Sequence, residues 1–151
     1  MDISPVVIQQ MKERNIGREE MKWEVMDVRE MTYESGFFDI AIDKSTIDAL
    51  LCGDSAYTNV AKMTNEVQRV LKEGGFYLVI SYGSPDTRSI HFSWSHLDFQ
   101  VEIQEILYDP KDATRVHYVY KCQKGDKSEE SSKLLEVVLQ ELKEEALKDQ
   151  F

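Results

Sequence analysis

The sequence predicts one α/β domain with a mostly parallel sheet, an antiparallel strand pair towards the C-terminus and a final helix. Three patterns predict this class. A strand, a helix and a second strand follow one another in the middle of the chain, which is the crossover unit of parallel sheets. Two alternating segments come next, and an amphipathic stripe ends the sequence. A chain of 151 residues is long enough to bury the core of such a domain.

The first predicted helix covers residues 5–14. Ser4 can accept a backbone N–H as the N-cap residue, and Pro5 suits the first helical position because its missing donor would be unpaired there anyway. Gly17 follows and marks the end of this helix.

Two strands are predicted next, and each ends at an aspartate. Alternation over residues 22–28 predicts a strand that ends at Asp27. The apolar run 37–42 predicts a strand that is covered on both faces and ends at Asp43. Ligands of open α/β sheets bind beyond the carboxyl ends of the parallel strands, so we expect both aspartates beside a binding crevice.

The central part predicts two helices and a third strand. Residues 45–51 can form a short helix that stops at Gly53. Apolar residues at intervals of three and four predict a longer helix over residues 57–72, with Gly74–Gly75 as its stop. The apolar segment 76–80 then predicts a strand parallel to the one before the helices.

The last part changes character. Residues 99–104 and 116–121 alternate between apolar and polar side chains, which predicts an antiparallel pair with turn residues at 109–112. An apolar stripe predicts a final helix over residues 132–148, whose other positions are largely Glu and Lys.

The composition restricts the classes of partner. A net charge of −10 and a pI near 4.8 argue against non-specific binding to nucleic acid or to an anionic membrane, since both would repel the average surface. A basic protein partner suits this charge.

Neither a signal peptide nor a membrane span is predicted, and Cys52 and Cys122 show no disulfide or metal-ligand spacing. We therefore expect a cytoplasmic protein with no metal site and two buried thiols.

Several strings, in their order along the chain, resemble one known family, the small class I methyltransferases related to the lysine methyltransferases of translation elongation factor 1 alpha. The similarity covers residues 2–121 and implies a Rossmann-like methyltransferase sheet. The strings are MDISPVVI at 1–8, WEVMDV at 23–28, FFDIAIDKSTIDAL at 37–50, EVQRVLKEGGFYLVISYGSP at 66–85 and HYVYK at 117–121.

The resemblance implies S-adenosylmethionine as cofactor and assigns four residues to it. Asp2 corresponds to the carboxylate that accepts hydrogen bonds from the ribose hydroxyls, and Asp27 to the acceptor for the adenine amino group. The backbone N–H of Val28 would lie near the adenine ring. Asp43 would hold the ammonium group of the methionine part.

The resemblance assigns no certain catalytic residue, because the sulfonium is already an activated donor and the protein mainly aligns it with the acceptor. An aromatic face could hold a lysine ammonium by cation–π attraction. Asp48 is predicted to form a local helix contact with Lys44 instead of taking part in chemistry. The candidates for the acceptor side are Tyr82, Arg88, His91, Phe92 and Trp94.

The sequence departs from the family pattern at its N-terminal side. The family's first strand and glycine-rich loop would precede Asp2, and the Gly74–Gly75 pair is predicted to be a helix stop instead. We therefore expect a partial methyltransferase domain over residues 1–122, followed by a linker and the acidic helix over 123–151. The third and fourth family strands could pair directly across the gap, the terminal helix could cover it, a partner chain could fill it, or the sequence is a fragment or an incomplete gene model.

The function predicted on this basis is S-adenosylmethionine-dependent methyl transfer to a protein side chain, with lysine as the favoured acceptor. If nothing replaces the glycine-rich loop, we expect the domain to be truncated and inactive on its own. The alternative is a non-catalytic structural or interaction subunit of the same ancestry, with the terminal helix as docking element. A nucleotide-binding module with another cofactor is less favoured, since no phosphate-binding loop is visible.

Overall fold

The computed structural model describes residues 1–109 and 112–148, and its centre is a four-stranded mixed sheet. The first two strands run parallel, and the two C-terminal strands are antiparallel to their neighbours. The order across the sheet is β1-β2-β4-β3. The strands are β1 (Phe38–Lys44), β2 (Leu71–Ser81), β3 (Phe99–Asp109) and β4 (Asp112–Lys124).

Six α-helices accompany the sheet in the described part of the chain, together with a short 3₁₀ turn over Ser89–Phe92. The first helix is confirmed with its predicted cap, because the Ser4 hydroxyl accepts a hydrogen bond from the Val7 N–H at 3.3 Å. The helices are α1 (Pro5–Arg14), α2 (Thr46–Leu51), α3 (Ala56–Val70), α4 (Pro85–Arg88), α5 (Ser128–Ser132) and α6 (Leu135–Lys148).

The crossover unit β1–α3–β2 is confirmed, and it carries the core. The predicted stripe of α3 packs against alternate residues of β2 and β4, which point to the same face of the sheet. The contact between helix and sheet is closed to solvent. Its buried side chains are Val60, Met63, Val67 and Val70 from α3 and Tyr77, Val79, Tyr120 and Cys122 from the sheet.

The prediction that Gly74 and Gly75 stop the long helix is wrong. The helix ends at Val70, and both glycines lie inside β2, where the register with β1 shifts. Gly74 has φ +71°, and a Cβ at Gly75 would lie 2.9 Å from the carbonyl oxygen of Asp39. Glycine is therefore required by a strand irregularity and a close backbone approach, not by a helix cap.

The prediction of a strand over residues 22–28 is also wrong. A single parallel bridge joins Val25 to Asp2, in which the Asp2 N–H donates to the Glu24 carbonyl at 3.1 Å and the Met26 N–H donates to Asp2 at 3.0 Å. A strand needs a partner along its length, and the segment before α1 offers one residue.

The edge of β1 that faces away from β2 carries no further strand in the described residues. Direct pairing with residues 22–28 therefore does not fill the gap. The terminal helix does not cover it either, because α6 packs on α3, where Val138 and Leu139 contact Ala61. The expectation that β1 is covered on both faces is wrong, since Ile40 and Ile42 are 52% and 71% exposed.

The antiparallel C-terminal pair is confirmed, whereas the predicted turn falls partly on Pro110 and Lys111, which lie outside the described residues. Cys122 is buried as expected, but Cys52 is exposed at the end of α2, so that part of the prediction is wrong. Within residues 1–109 and 112–148, no helix has the length and apolar character needed to cross a bilayer.

Two buried histidines make the fold sensitive to acid. His91 and His96 are 1% and 0% exposed, and burial lowers the pKa of each to about 4 from the usual 6.5. A positive charge from Arg88 lowers the pKa of His91 further. Both rings are held neutral in the folded state, so the unfolded chain binds protons more readily than the folded one. A fall in pH below about 6.5 therefore favours unfolding.

We expect the free energy of unfolding to fall as the pH drops from about 6.5 towards 4, by up to roughly 3 kcal/mol for each histidine. The substitution His91→Phe keeps an aromatic ring against Tyr57 and Trp94 and should reduce this acid loss by about half. Urea unfolding at a series of pH values measures it. An unchanged pH profile in His91→Phe would show that His91 binds protons equally well in the folded and unfolded chain.

Candidate functional site

An open cleft of about 1050 Å³ lies between the free edge of β1 and the Asp2–Val25 bridge. All four residues that the sequence assigned to the cofactor line this cleft, although they come from three separate segments. The structure therefore brings Asp2, Asp27, Val28 and Asp43 together. The floor is apolar and includes Met26, Ala41, Leu50, Met63 and Val67.

Asp43 is a buried carboxylate at the point where β1 ends. It accepts hydrogen bonds from the backbone N–H groups of Thr46 at 2.6 Å and Ile47 at 3.0 Å, and from the Tyr77 hydroxyl at 2.9 Å. It thereby caps α2, whose preceding residue Ser45 has a left-handed backbone and makes no side-chain cap. Burial raises the pKa of Asp43, and the three donors oppose that shift.

Asp27, which also lines the cleft, is held by a neighbouring guanidinium. Arg29 donates to its two carboxylate oxygens from Nε at 3.0 Å and from Nη2 at 2.6 Å, and these bonds hold the pKa of Asp27 below its usual value. The remaining Arg29 nitrogen, Nη1, donates to Asn59 on α3 at 2.9 Å. The carboxylate is thus ionised and fixed in orientation.

Asp2 and Val28 are less constrained. The Ser4 N–H donates to Asp2 Oδ1 at 2.8 Å, which orients this half-buried carboxylate beside the start of α1. Val28 is half-buried, and its side chain packs against the core from the segment that carries Asp27. The Asp2–Val25 bridge joins Asp2 to the segment that carries Asp27, and both aspartates line the cleft together with Asp43.

A clamp that sequence reasoning missed fixes this wall to α3. Glu66 accepts a hydrogen bond from the Met31 N–H at 2.7 Å, and Arg69 donates to the carbonyl oxygens of Met31 at 2.9 Å and Tyr33 at 2.7 Å. Glu66 and Arg69 are themselves paired at 2.7 Å. Nothing local in the sequence marks these contacts, because their partners lie more than 30 residues away.

The predicted acceptor-side residues are not all accessible. Tyr82 is 68% exposed, and its ring lies 4.2 Å from the ring of His117 between centroids. His91 and Phe92 are each 1% exposed, and the half-buried Trp94 packs against the core from the same segment. None of the three lines the cleft. Apolar and aromatic residues in a connecting segment were interpreted as a wall for substrate, whereas they close the interior.

Arg88 and Asp48 form an ion pair that the sequence did not predict. Arg88 Nη2 lies 2.9 Å from Asp48 Oδ1, and the same oxygen accepts the Ser81 hydroxyl at 2.5 Å. The predicted local pair of Asp48 with Lys44 is not formed; Asp48 turns towards the end of β2 instead. Within the described residues, no group of three or more His, Cys, Asp or Glu is placed to hold a metal ion.

Sequence comparisons agree with the earlier resemblance. A family model described as "Methyltransferase domain" matches residues 1–146. EEF1A lysine methyltransferase 4 of Mus musculus is 33% identical over 109 residues, which are 67% of this chain and 43% of that protein. The eEF1A lysine and N-terminal methyltransferase of Bos taurus is 45% identical over 84 residues, 54% of this chain and 12% of that protein. The chain thus spans less than half the length of these relatives.

Two solved methyltransferase structures have folds similar to that of this chain. An S-adenosylmethionine-dependent methyltransferase from Methanosarcina mazei has a TM-score of 0.56 at 14% identity, covering 82% of this chain and 80% of that chain. The N-methyltransferase NodS from Bradyrhizobium japonicum WM9, in complex with S-adenosylhomocysteine, has a TM-score of 0.64 at 13% identity, covering 82% and 64%. At these identities the likeness establishes the fold, which confirms the Rossmann-like α/β class.

The hydrogen bond from Tyr77 to Asp43 offers a direct test of this site's architecture. We expect Tyr77→Phe to lower the free energy of unfolding by about 1–2 kcal/mol, because the buried carboxylate loses one of its three donors. Urea denaturation at neutral pH measures the change. Tyr57→Phe is the matched control, since Tyr57 is 51% exposed and should change stability by less than about 0.5 kcal/mol. Equal effects of the two substitutions would contradict the assignment.

Proposed function

Since the chain belongs to the methyltransferase domain family, we propose that it binds S-adenosylmethionine in the cleft of Asp2, Asp27 and Asp43 and transfers the methyl group to a protein lysine. The observation that carries the proposal is the convergence of these three carboxylates, from distant parts of the sequence, on one cleft with an apolar floor. A cofactor with a ribose diol, an adenine ring and an ammonium group presents the complementary chemistry.

Each wall of the cleft suits one part of this cofactor. Asp2 would accept the ribose hydroxyls, and Asp27 would accept the adenine amino group with oxygen lone pairs that Arg29 leaves free, next to the Val28 N–H. Asp43 would face the ammonium of the methionine part, and a positive charge there would offset the cost of burying this carboxylate. The bound cofactor supplies an activated methyl group on its sulfonium.

The residues of the chain would supply alignment and exclusion of water. The apolar floor would exclude water from the adenine ring, and the capped α2 would keep Asp43 fixed while the acceptor approaches. The acceptor lysine must lose a proton before its nitrogen can attack, and a partly desolvated position at the cleft would lower the pKa of that amine.

Protein lysine as acceptor is supported by similarity and by charge. The relatives with 33% and 45% identity are named as eEF1A lysine methyltransferases. A net charge of −10 favours encounter with a basic protein surface. We propose a cytoplasmic protein partner of this kind, with neither nucleic acid nor a membrane as ligand.

Calorimetric titration with S-adenosylhomocysteine tests the cofactor site. We expect Asp27→Asn and Asp43→Asn each to weaken binding about tenfold or more, because each removes a charged acceptor from the cleft. Asp39→Asn is the matched control: it lies on the same strand, is largely exposed and pairs with Lys72 outside the cleft. Its affinity should stay within about twofold of wild type. An equal loss in all three variants would count against the assigned roles.

A second candidate function is that of a non-catalytic interaction subunit. Two observations favour it: no glycine lines the cleft in the described residues, and the edge strand β1 exposes the side chains of Ile40 and Ile42. Glycines let the backbone approach a cofactor closely, so their absence would weaken binding. If the folded chain fails to bind S-adenosylhomocysteine and transfers no labelled methyl group to elongation factor 1A, this second function replaces the first.

A further inference from the structure

The ion pair between Arg88 and Asp48 lies at the carboxyl end of β2, outside the cofactor cleft. We propose that Arg88 is a positioning residue for the methyl acceptor: through Asp48 it holds the segment that follows β2 against α2, and so fixes Tyr82 at the acceptor side. This inference rests on the proposed function. It reverses the sequence-based expectation that Arg88 itself contacts the substrate.

The first step of the case is the number of bonds that meet at one oxygen. Asp48 Oδ1 accepts from the Ser81 hydroxyl at 2.5 Å, from Arg88 Nη2 at 2.9 Å and from Arg88 Nε at 3.2 Å. The three residues come from α2, β2 and α4. These bonds therefore join α2 to the end of β2 and to α4, which lie more than 30 residues further along the sequence.

The second step is that the same cluster holds the backbone around Tyr82. The Gly83 N–H donates to the Ser81 hydroxyl at 2.9 Å, and the Tyr82 N–H lies 3.4 Å from Asp48 Oδ2. From the other side, the Tyr120 hydroxyl donates to the Gly83 carbonyl at 2.6 Å. The Tyr82–Gly83 backbone is thus fixed from both sides, while the Tyr82 ring remains 68% exposed.

The third step concerns the place of the guanidinium. It fills the space beside Gly83, where a Cβ would lie 2.3 Å from Arg88 Nε. The side chains of Arg88 and Asp48 are 17% and 18% exposed, so the charges are largely shielded. A shielded pair is costly to leave half-formed, which favours one arrangement of the segment over others. Its Nε and Nη2 are engaged by Asp48 and Ser81, so these two donors of Arg88 are occupied within the protein.

The last step links the cluster to the cleft. Asp48 belongs to α2, and Ser45, Thr46 and Ala49 from the same region line the cleft. A movement of Arg88 would change the position of Tyr82 relative to this helix while the Asp43 cap stays in place. The ion pair therefore sets the geometry of the acceptor side without touching the cofactor.

The experiment uses the full chain with three substitutions and a control. Arg88→Met removes the charge, and Arg88→Lys keeps it but loses the forked donor geometry. Gly83→Ala keeps every charge and expels the guanidinium by steric overlap, at a position whose backbone a non-glycine residue can adopt. Arg14→Met is the control: Arg14 is exposed at the end of α1, and this substitution removes the same charge at a distant position.

Four quantities are measured: hydrogen exchange of the amides of residues 82–84 and 86–88, the affinity for S-adenosylhomocysteine, and both kcat and KM with elongation factor 1A as acceptor. In Arg88→Met and Gly83→Ala we expect exchange to be about tenfold faster and the acceptor KM to be about fivefold higher or more. The cofactor affinity and kcat of these two variants should change by less than about twofold. In exchange rate and acceptor KM, Arg88→Lys should lie between wild type and Arg88→Met, and Arg14→Met should resemble wild type.

The outcomes separate this inference from the proposed function. Unchanged exchange in Gly83→Ala and Arg88→Met would overturn the positioning role, and so would faster exchange with an unchanged acceptor KM. A parallel loss of cofactor affinity would show that the cluster acts on the cleft instead. If wild type transfers no methyl group, the proposed function fails and the acceptor role fails with it, while the exchange data still decide whether the ion pair holds the segment.

Discussion

The buried carboxylate of Asp43 is the interaction on which the rest of this architecture depends. It ends β1, accepts the first two N–H groups of α2 and binds the Tyr77 hydroxyl from β2. Because a charged group in the interior is costly unless its acceptors are filled, these three donors specify how the helix leaves the strand. The direction of α2 in turn decides that Asp48 meets Arg88 and that Thr46 faces the cleft.

The cleft exists because the sheet is closed on one side only. Helix α3 buries one face of β1 and β2, and the Glu66–Arg69 clamp ties the segment around Met31 to the same helix. The outer edge of β1 receives no strand from the described residues, so the segment that carries Asp27 stands apart from it and a cavity opens between them. An unpaired edge with Ile40 exposed is a site at which a further polypeptide segment can pair.

Patterns that depend on local periodicity were predictable from the sequence, and those that depend on distant partners were not. The stripe of α3 and the cap at Ser4 follow from spacing and residue type within one element. Alternation over residues 22–28 looked like a strand, but the neighbour that a strand requires contributes a single bridge at Asp2. The Gly74–Gly75 pair was ambiguous, since glycine serves helix stops and strand irregularities equally well, and only the approach of the β1 backbone decides between them.

The electrostatics of the site also separate what the local sequence indicates from what distant partners determine. The sequence predicted both Asp27 and Asp43 at strand ends, which the structure confirms for Asp43 alone. The sequence could not show that the pKa values of the two carboxyl groups move in opposite directions, because one has a guanidinium partner and the other is buried. Asp27 therefore carries a charge that Arg29 already balances, whereas the charge of Asp43 is stabilised by neutral hydrogen-bond donors. A cationic group entering the cleft would therefore gain more at Asp43 than at Asp27, because Asp27 is already paired with Arg29.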